Sequence, residues 1–78
     1  MSFRAWLRRL LKEGKYRSQY QMADAYRVKQ PTVANWLRGA KLPDLESCSH
    51  ISEAEGIPLA DIAEMVRRDA RGARAGSH

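Results

Sequence analysis

Few residues in this chain are equipped for covalent or metal chemistry. It has one cysteine, Cys48, and two histidines, His50 and His78. Cys48 and His50 are two positions apart, and on a helix such positions point to different sides, so they do not converge on one ion. A lone cysteine rules out an intrachain disulfide and a Cys-based zinc finger. No Ser-His-Asp or Cys-His arrangement and no glycine-rich phosphate loop is present, so neither catalysis nor a cofactor is expected. The remaining chemistry is hydrogen bonding and charge. Gln30 and Asn35 lie with Pro31 and Ala34 on what would be the outer face of one helix. An amide both donates and accepts, which matches the N6/N7 edge of adenine in the major groove. Gln19, Lys29, Thr32, Arg38 and Lys41 surround them and suit phosphate oxygens. A reading surface of amides fringed by cations points to double-stranded DNA as the partner, with no small-molecule ligand.

The charge pattern supports a polyanionic partner. The chain has 78 residues and a net charge of +5, with 44% hydrophobic residues, enough for one small core. Residues 1–43 carry ten basic and two acidic side chains, whereas residues 44–66 carry six acidic and no basic ones. A fold built on this sequence has a positive pole for a polyanion and a negative pole facing away from it.

The elements that must position these residues are helices. Phe3, Trp6, Leu7, Leu10 and Leu11 form one apolar stripe, with Ser2 as N-cap and Gly14 as stop, predicting a helix over about 3–13. Ser18 with Gln21 reads as a capping box opening a second helix, with Met22, Ala23 and Tyr26 on one face. Pro31 suits the first turn of a third helix over about 30–38, anchored by Val33, Trp36 and Leu37 and ended by Gly39. Asp44 caps a fourth, with Leu45, Cys48 and Ile51 facing the core and Gly56 ending it. Pro58 starts a fifth, whose stripe is Leu59, Ile62, Ala63 and Val66. No strand pattern and no repeat occurs. The expected architecture is a compact all-α, five-helix domain over 1–68, followed by a basic, disordered tail over 69–78. Trp36 and Trp6 are expected in the core, Cys48 buried and His50 exposed.

Residues 18–39 resemble the helix-turn-helix of the Cro and phage-repressor type, the xenobiotic-response-element family of bacterial regulators. The resemblance rests on Ser18-Gln19, Ala23, Val28, Thr32-Val33 and Trp36-Leu37-Arg38-Gly39. It continues downstream through Pro43, Leu45 and Gly56-Ile57-Pro58, covering about residues 3–66. It implies a lambda-repressor-like fold whose second and third helices form the motif. It also implies phosphate binding by Gln19 and base contacts by Gln30, which would brace Gln19. Pro31, Ala34 and Asn35 take the variable reading positions, and Arg38 and Lys41 clamp the backbone. Two residues depart from the pattern. Arg27 stands where the turn usually has glycine; a non-glycine residue with positive φ costs about 1 kcal/mol or more, so either the turn bends differently or a cationic turn is tolerated for a phosphate contact. Lys29 replaces the usual serine N-cap, a loss of roughly 1 kcal/mol.

The resemblance makes a small phage or bacterial repressor the leading expectation. One recognition helix reads few base pairs, so a homodimer is expected, in solution or only on DNA, with Leu59, Ile62, Met65 and Val66 as its patch. The competing class is an antitoxin-like interaction module that docks a protein on the acidic segment 44–66. A third is non-specific architectural DNA binding. The basic face of Arg4, Arg8, Arg9 and Lys12 beside Phe3 and Trp6 also fits an interfacial helix, but the core needs that apolar stripe, so no membrane partner is expected. The N-terminus lacks the apolar run of a signal peptide, which predicts a cytoplasmic location.

Overall fold

The computed structural model describes residues 1–76, with side chains through Arg71. Five helices follow one another: α1 (Phe3–Lys12), α2 (Gln19–Ala25), α3 (Gln30–Arg38), α4 (Leu45–Glu55) and α5 (Leu59–Gly76). No strand occurs among the described residues. No helix among them is long and apolar enough to cross a membrane.

The local signals that start and stop the helices act as read. Ser2 Oγ accepts from Ala5 N–H at 3.2 Å, Ser18 Oγ from Gln21 N–H at 3.2 Å, and Asp44 Oδ1 from Ser47 N–H at 2.8 Å. The capping box is modified. Gln21 Oε1 reaches past the N-cap to accept from Arg17 N–H at 2.6 Å.

The core joins Phe3 and Leu7 of α1, Met22 and Ala23 of α2, Val33, Trp36 and Leu37 of α3, Cys48 and Ile51 of α4, and Ile62 of α5. Tyr16 and Tyr26 complete it from the connections. Trp36 is buried and Phe3 meets it edge-on, with ring centroids 5.7 Å apart, so α1 is seated directly against α3. Trp6 is half-buried against the same cluster.

Three stripe assignments shift, those of Leu45, Leu59 and Ala63, all of which are exposed. Leu45 is 72% exposed, because it opens α4 on the solvent side while Pro43, just before the helix, is buried in its place. Ala63 is exposed, and Ile62, Met65 and Val66 form the inner face of α5. The fifth helix also passes the boundary expected at Arg68 and runs to Gly76. Asp69 continues the inner face at the next helical position. It is buried, and its Oδ2 accepts from Arg4 N–H at 3.0 Å, capping the first turn of α1. That polar contact is why the apolar pattern stops before the packed part of the helix does. Residues 77–78 of the expected tail lie outside the described residues.

A buried carboxylate ties three segments together. The Glu55 side chain is 1% exposed at the end of α4. Its Oε2 accepts from Tyr16 Oη at 2.5 Å and from Tyr26 Oη at 2.6 Å, and Lys15 Nζ donates to Oε1. Burial pushes the Glu55 carboxyl up, but hydrogen bonds from Lys15, Tyr16 and Tyr26 outweigh it and hold the group below the usual carboxylate range. Burial, then the bond to Glu55, pushes the Tyr16 hydroxyl up to about 12. The same causes move Tyr26 upward as well.

Candidate nucleic-acid interface

Helices α2 and α3 are joined by Tyr26–Lys29, and the geometry of that connection fixes their crossing. Arg27 sits in the left-handed region, with φ of 58°. Its N–H donates to Asp24 O at 3.2 Å, and Val28 N–H donates to Ala23 O at 3.0 Å. This pair of bonds is a Schellman closure of α2, with Arg27 in the position that glycine usually fills. Val28 then turns inward and packs against the core. The turn therefore bends as it would with glycine, and the chain carries the strain of a Cβ there.

Helix α3 begins without a side-chain cap. Lys29 is its N-cap residue with extended backbone, and no side chain bonds the first-turn N–H groups. Pro31 in that turn removes one N–H that would otherwise need a partner. Val33, Trp36 and Leu37 are buried. Their burial turns Pro31, Ala34, Asn35 and Arg38 outward: Pro31 and Arg38 are exposed, and Ala34 and Asn35 are partly so. At the N-terminal end Gln30 Nε2 donates to Gln19 Oε1 at 2.9 Å, bridging the starts of α2 and α3. This is the brace that the resemblance implied. At the other end Arg38 Nη2 donates to Asn35 Oδ1. Thr32, Asn35 and Lys41 line one open cleft with Trp36, Leu42, Asp44 and Ser47. Asp44 brings a carboxylate into the same cleft as Lys41. Its hydrogen bonds from Ser47 hold it below the ordinary range, so it stays charged.

The C-terminal end of α3 is held by side chains that sequence analysis assigned only to a basic face. Arg8 Nη2 donates to Leu37 O at 2.9 Å. The Arg4 guanidinium lies where a Cβ on Gly39 would project, and Gly39 itself takes φ of 74° to close the helix. Cations at a helix C-terminus satisfy orphan carbonyls and oppose the negative end of the dipole. The only signal in the sequence was that Arg4 and Arg8 flank Phe3 and Leu7 at one-turn spacing. Those two prove to be the buried positions of α1.

Other expected sites fall differently. Ile62 is fully buried, so it belongs to the core and not to a surface patch; Leu59 is 36% exposed and Met65 and Val66 are half-buried. Cys48 is buried, which pushes its thiol up and keeps it neutral. His50 is half-buried instead of exposed, with Nδ1 unpartnered. Among the described residues no three His, Cys, Asp or Glu side chains gather to hold a metal ion.

Two short helices meeting through a Schellman turn, the second with its apolar side buried and its amide-bearing side outward, define a helix-turn-helix DNA-binding unit. The helix-turn-helix family profile matches residues 7–62, most of the chain, and the protein belongs to that family. It is a DNA-binding regulator of the Cro and phage-repressor-like kind. No curated protein and no solved structure matches it.

Proposed function

We propose that this protein is a small repressor that occupies operator DNA in a bacterial or phage circuit, acting in the cytoplasm. Helix α3 lies in the major groove, where Gln30, Pro31, Ala34 and Asn35 meet base edges. Gln19, Lys29, Thr32 and Lys41 set the register on phosphates, as does the part of the Arg38 fork not held by Asn35. The observation that carries this reading is the outward row of Pro31, Ala34, Asn35 and Arg38 on a helix whose opposite side is locked by Val33, Trp36 and Leu37. A rigid, uncapped, braced helix end suits backbone approach to DNA. Two copies on half-sites about one helical turn apart would extend the site read. Leu59 and the solvent-facing edges of the half-buried Met65 and Val66 remain for that contact.

The acidic segment favours this reading over protein docking. Asp44 is occupied as the α4 cap, Glu55 is buried, and Glu64 pairs with Arg67 and Arg68. Half of the acids in 44–66 therefore have internal work.

The test is selection from a random duplex library at about 0.15 M salt, where exposed charges more than about 8 Å apart are screened. A two-fold symmetric enriched site is the expected result, and a single enriched half-site would remove the dimer. Binding only at low salt, without enrichment, would refute sequence-specific repression.

A further inference from the structure

We infer that Asn35 and Arg38 act as one donor-only reading unit that selects guanine, and disfavours adenine, in the base pair they face. This rests on the operator-reading role proposed for α3 and names what that helix reads.

The argument begins from hydrogen-bond inventory. Arg38 Nη2 donates to Asn35 Oδ1 across one helical turn. A guanidinium has five N–H donors and no acceptor. The amide atom facing it must therefore be the oxygen, which fixes which way the Asn35 amide points. What the pair offers outward is the Asn35 Nδ2 hydrogens and the remaining N–H groups of Arg38.

An unencumbered asparagine reads adenine by accepting from N6–H and donating to N7. Here the acceptor half of that match is already engaged. The second lone pair of Oδ1 offers no easy substitute, because an incoming N6–H would bring its positive end beside a guanidinium cation. Guanine presents O6 and N7, two acceptors and no donor on that part of its edge. It meets a donor-only pair in full. Thymine O4 offers one acceptor, and the cytosine N4 amino group offers only donors.

Gln30 differs. It donates one Nε2 hydrogen to Gln19, which leaves its Oε1 and a second hydrogen. The two amides that composition makes alike are thus given different preferences by their neighbours: Gln30 keeps a donor and an acceptor, and Asn35 keeps donors alone. Arg38, expected on phosphates alone, becomes a specificity-determining residue through the atom it occupies on Asn35.

The experiment is the same duplex selection run on the wild type, Asn35→Ala and Arg38→Met, each checked by circular dichroism and thermal unfolding. Arg38 is exposed and Asn35 lies outside the buried core, so both variants should retain the fold. The position at which Asn35→Ala relaxes preference should carry guanine in the wild type, favoured over adenine by about 5- to 150-fold. Arg38→Met should free Oδ1 and move that position toward adenine. Adenine at that position in the wild type would overturn the inference and leave the operator-reading role intact. So would an Arg38→Met variant that keeps guanine, weakens all sequences alike and lowers the salt slope by about 0.9, the signature of a lost phosphate contact. A wild type that enriches no site would overturn the operator-reading role itself, and this inference with it.

Discussion

Replacing Arg27 with glycine should stabilise the protein. Arg27 occupies the left-handed position of the turn at φ of 58°. The comparable positions after α1, α3 and α4 are all glycine, at φ of 82°, 74° and 68°. A Cβ in this region costs about 1–2 kcal/mol. Glycine returns about 0.5–1 kcal/mol of that through its greater freedom in the unfolded chain. The net gain is then about 0.5–1 kcal/mol, which in a domain of this size raises Tm by about 2–8 °C. The turn's two closing bonds use only backbone groups of Arg27 and Val28, so the substitution leaves both in place. Arg27→Ala is the control, since it keeps the Cβ and removes the guanidinium. Thermal and urea unfolding, with the urea slope unchanged, would read the effect. If Arg27→Gly melts at or below the wild-type temperature, the strain argument is wrong. If Arg27→Ala stabilises equally, the gain came from lost charge repulsion.

Further outcomes follow from the buried groups. Glu55 has a folded pKa held below its unfolded value, so its contribution is present above about pH 4.3 and is lost as pH falls through the folded value. Tyr16, raised to about 12, gives the opposite limb, with stability falling as pH rises above about 10. Glu55→Gln should cost about 1–3 kcal/mol at pH 7 and flatten the acid limb in urea titrations, whereas curves parallel to the wild type would refute the role. Asp69→Ala should lower Tm by about 4–8 °C through loss of roughly 1 kcal/mol of capping at α1. Truncation after Arg68 should lower it at least as far, and a truncated chain that melts with the full one would show that the domain ends where the apolar pattern does.

The parts of this fold legible in the sequence are those governed by neighbours in the chain. Ser2, Ser18 and Asp44 cap the helices they precede, Gly39 ends α3, and the Phe3–Leu7 and Val33–Trp36 spacings mark buried faces. At Arg27 the departure was legible but its outcome was not: a different bend and a tolerated cationic turn were both open until the backbone showed φ of 58°. The illegible parts depend on partners far along the chain. Glu55 looked like one acid in an acidic run, although a carboxylate at a helix C-terminus opposes the dipole and signals a compensating donor. Its donors lie 29 to 40 positions earlier. Asp69 ended an apolar pattern and so marked a boundary on paper, while its partner, Arg4, is 65 positions away. On α3 the residue types were legible, but the state of Asn35 was not. Whether its oxygen is free depends on how the Arg38 side chain folds back.

The Glu55 cluster bears on how the protein meets its target. The loop after α1, the end of α2 and the end of α4 converge on a single charge. Lifting α2 away would strip the Tyr26 hydroxyl from a carboxylate that is 1% exposed and leave only Tyr16 and Lys15 to hold its charge, a loss added to that of exposing apolar surface. The pair of helices that addresses DNA is therefore held to the rest of the fold by a polar contact as well as by the core. That tie adds to the cost of opening α2 by itself. A scaffold of this kind discriminates through what its side chains present, because it has little freedom to reshape itself around a wrong sequence.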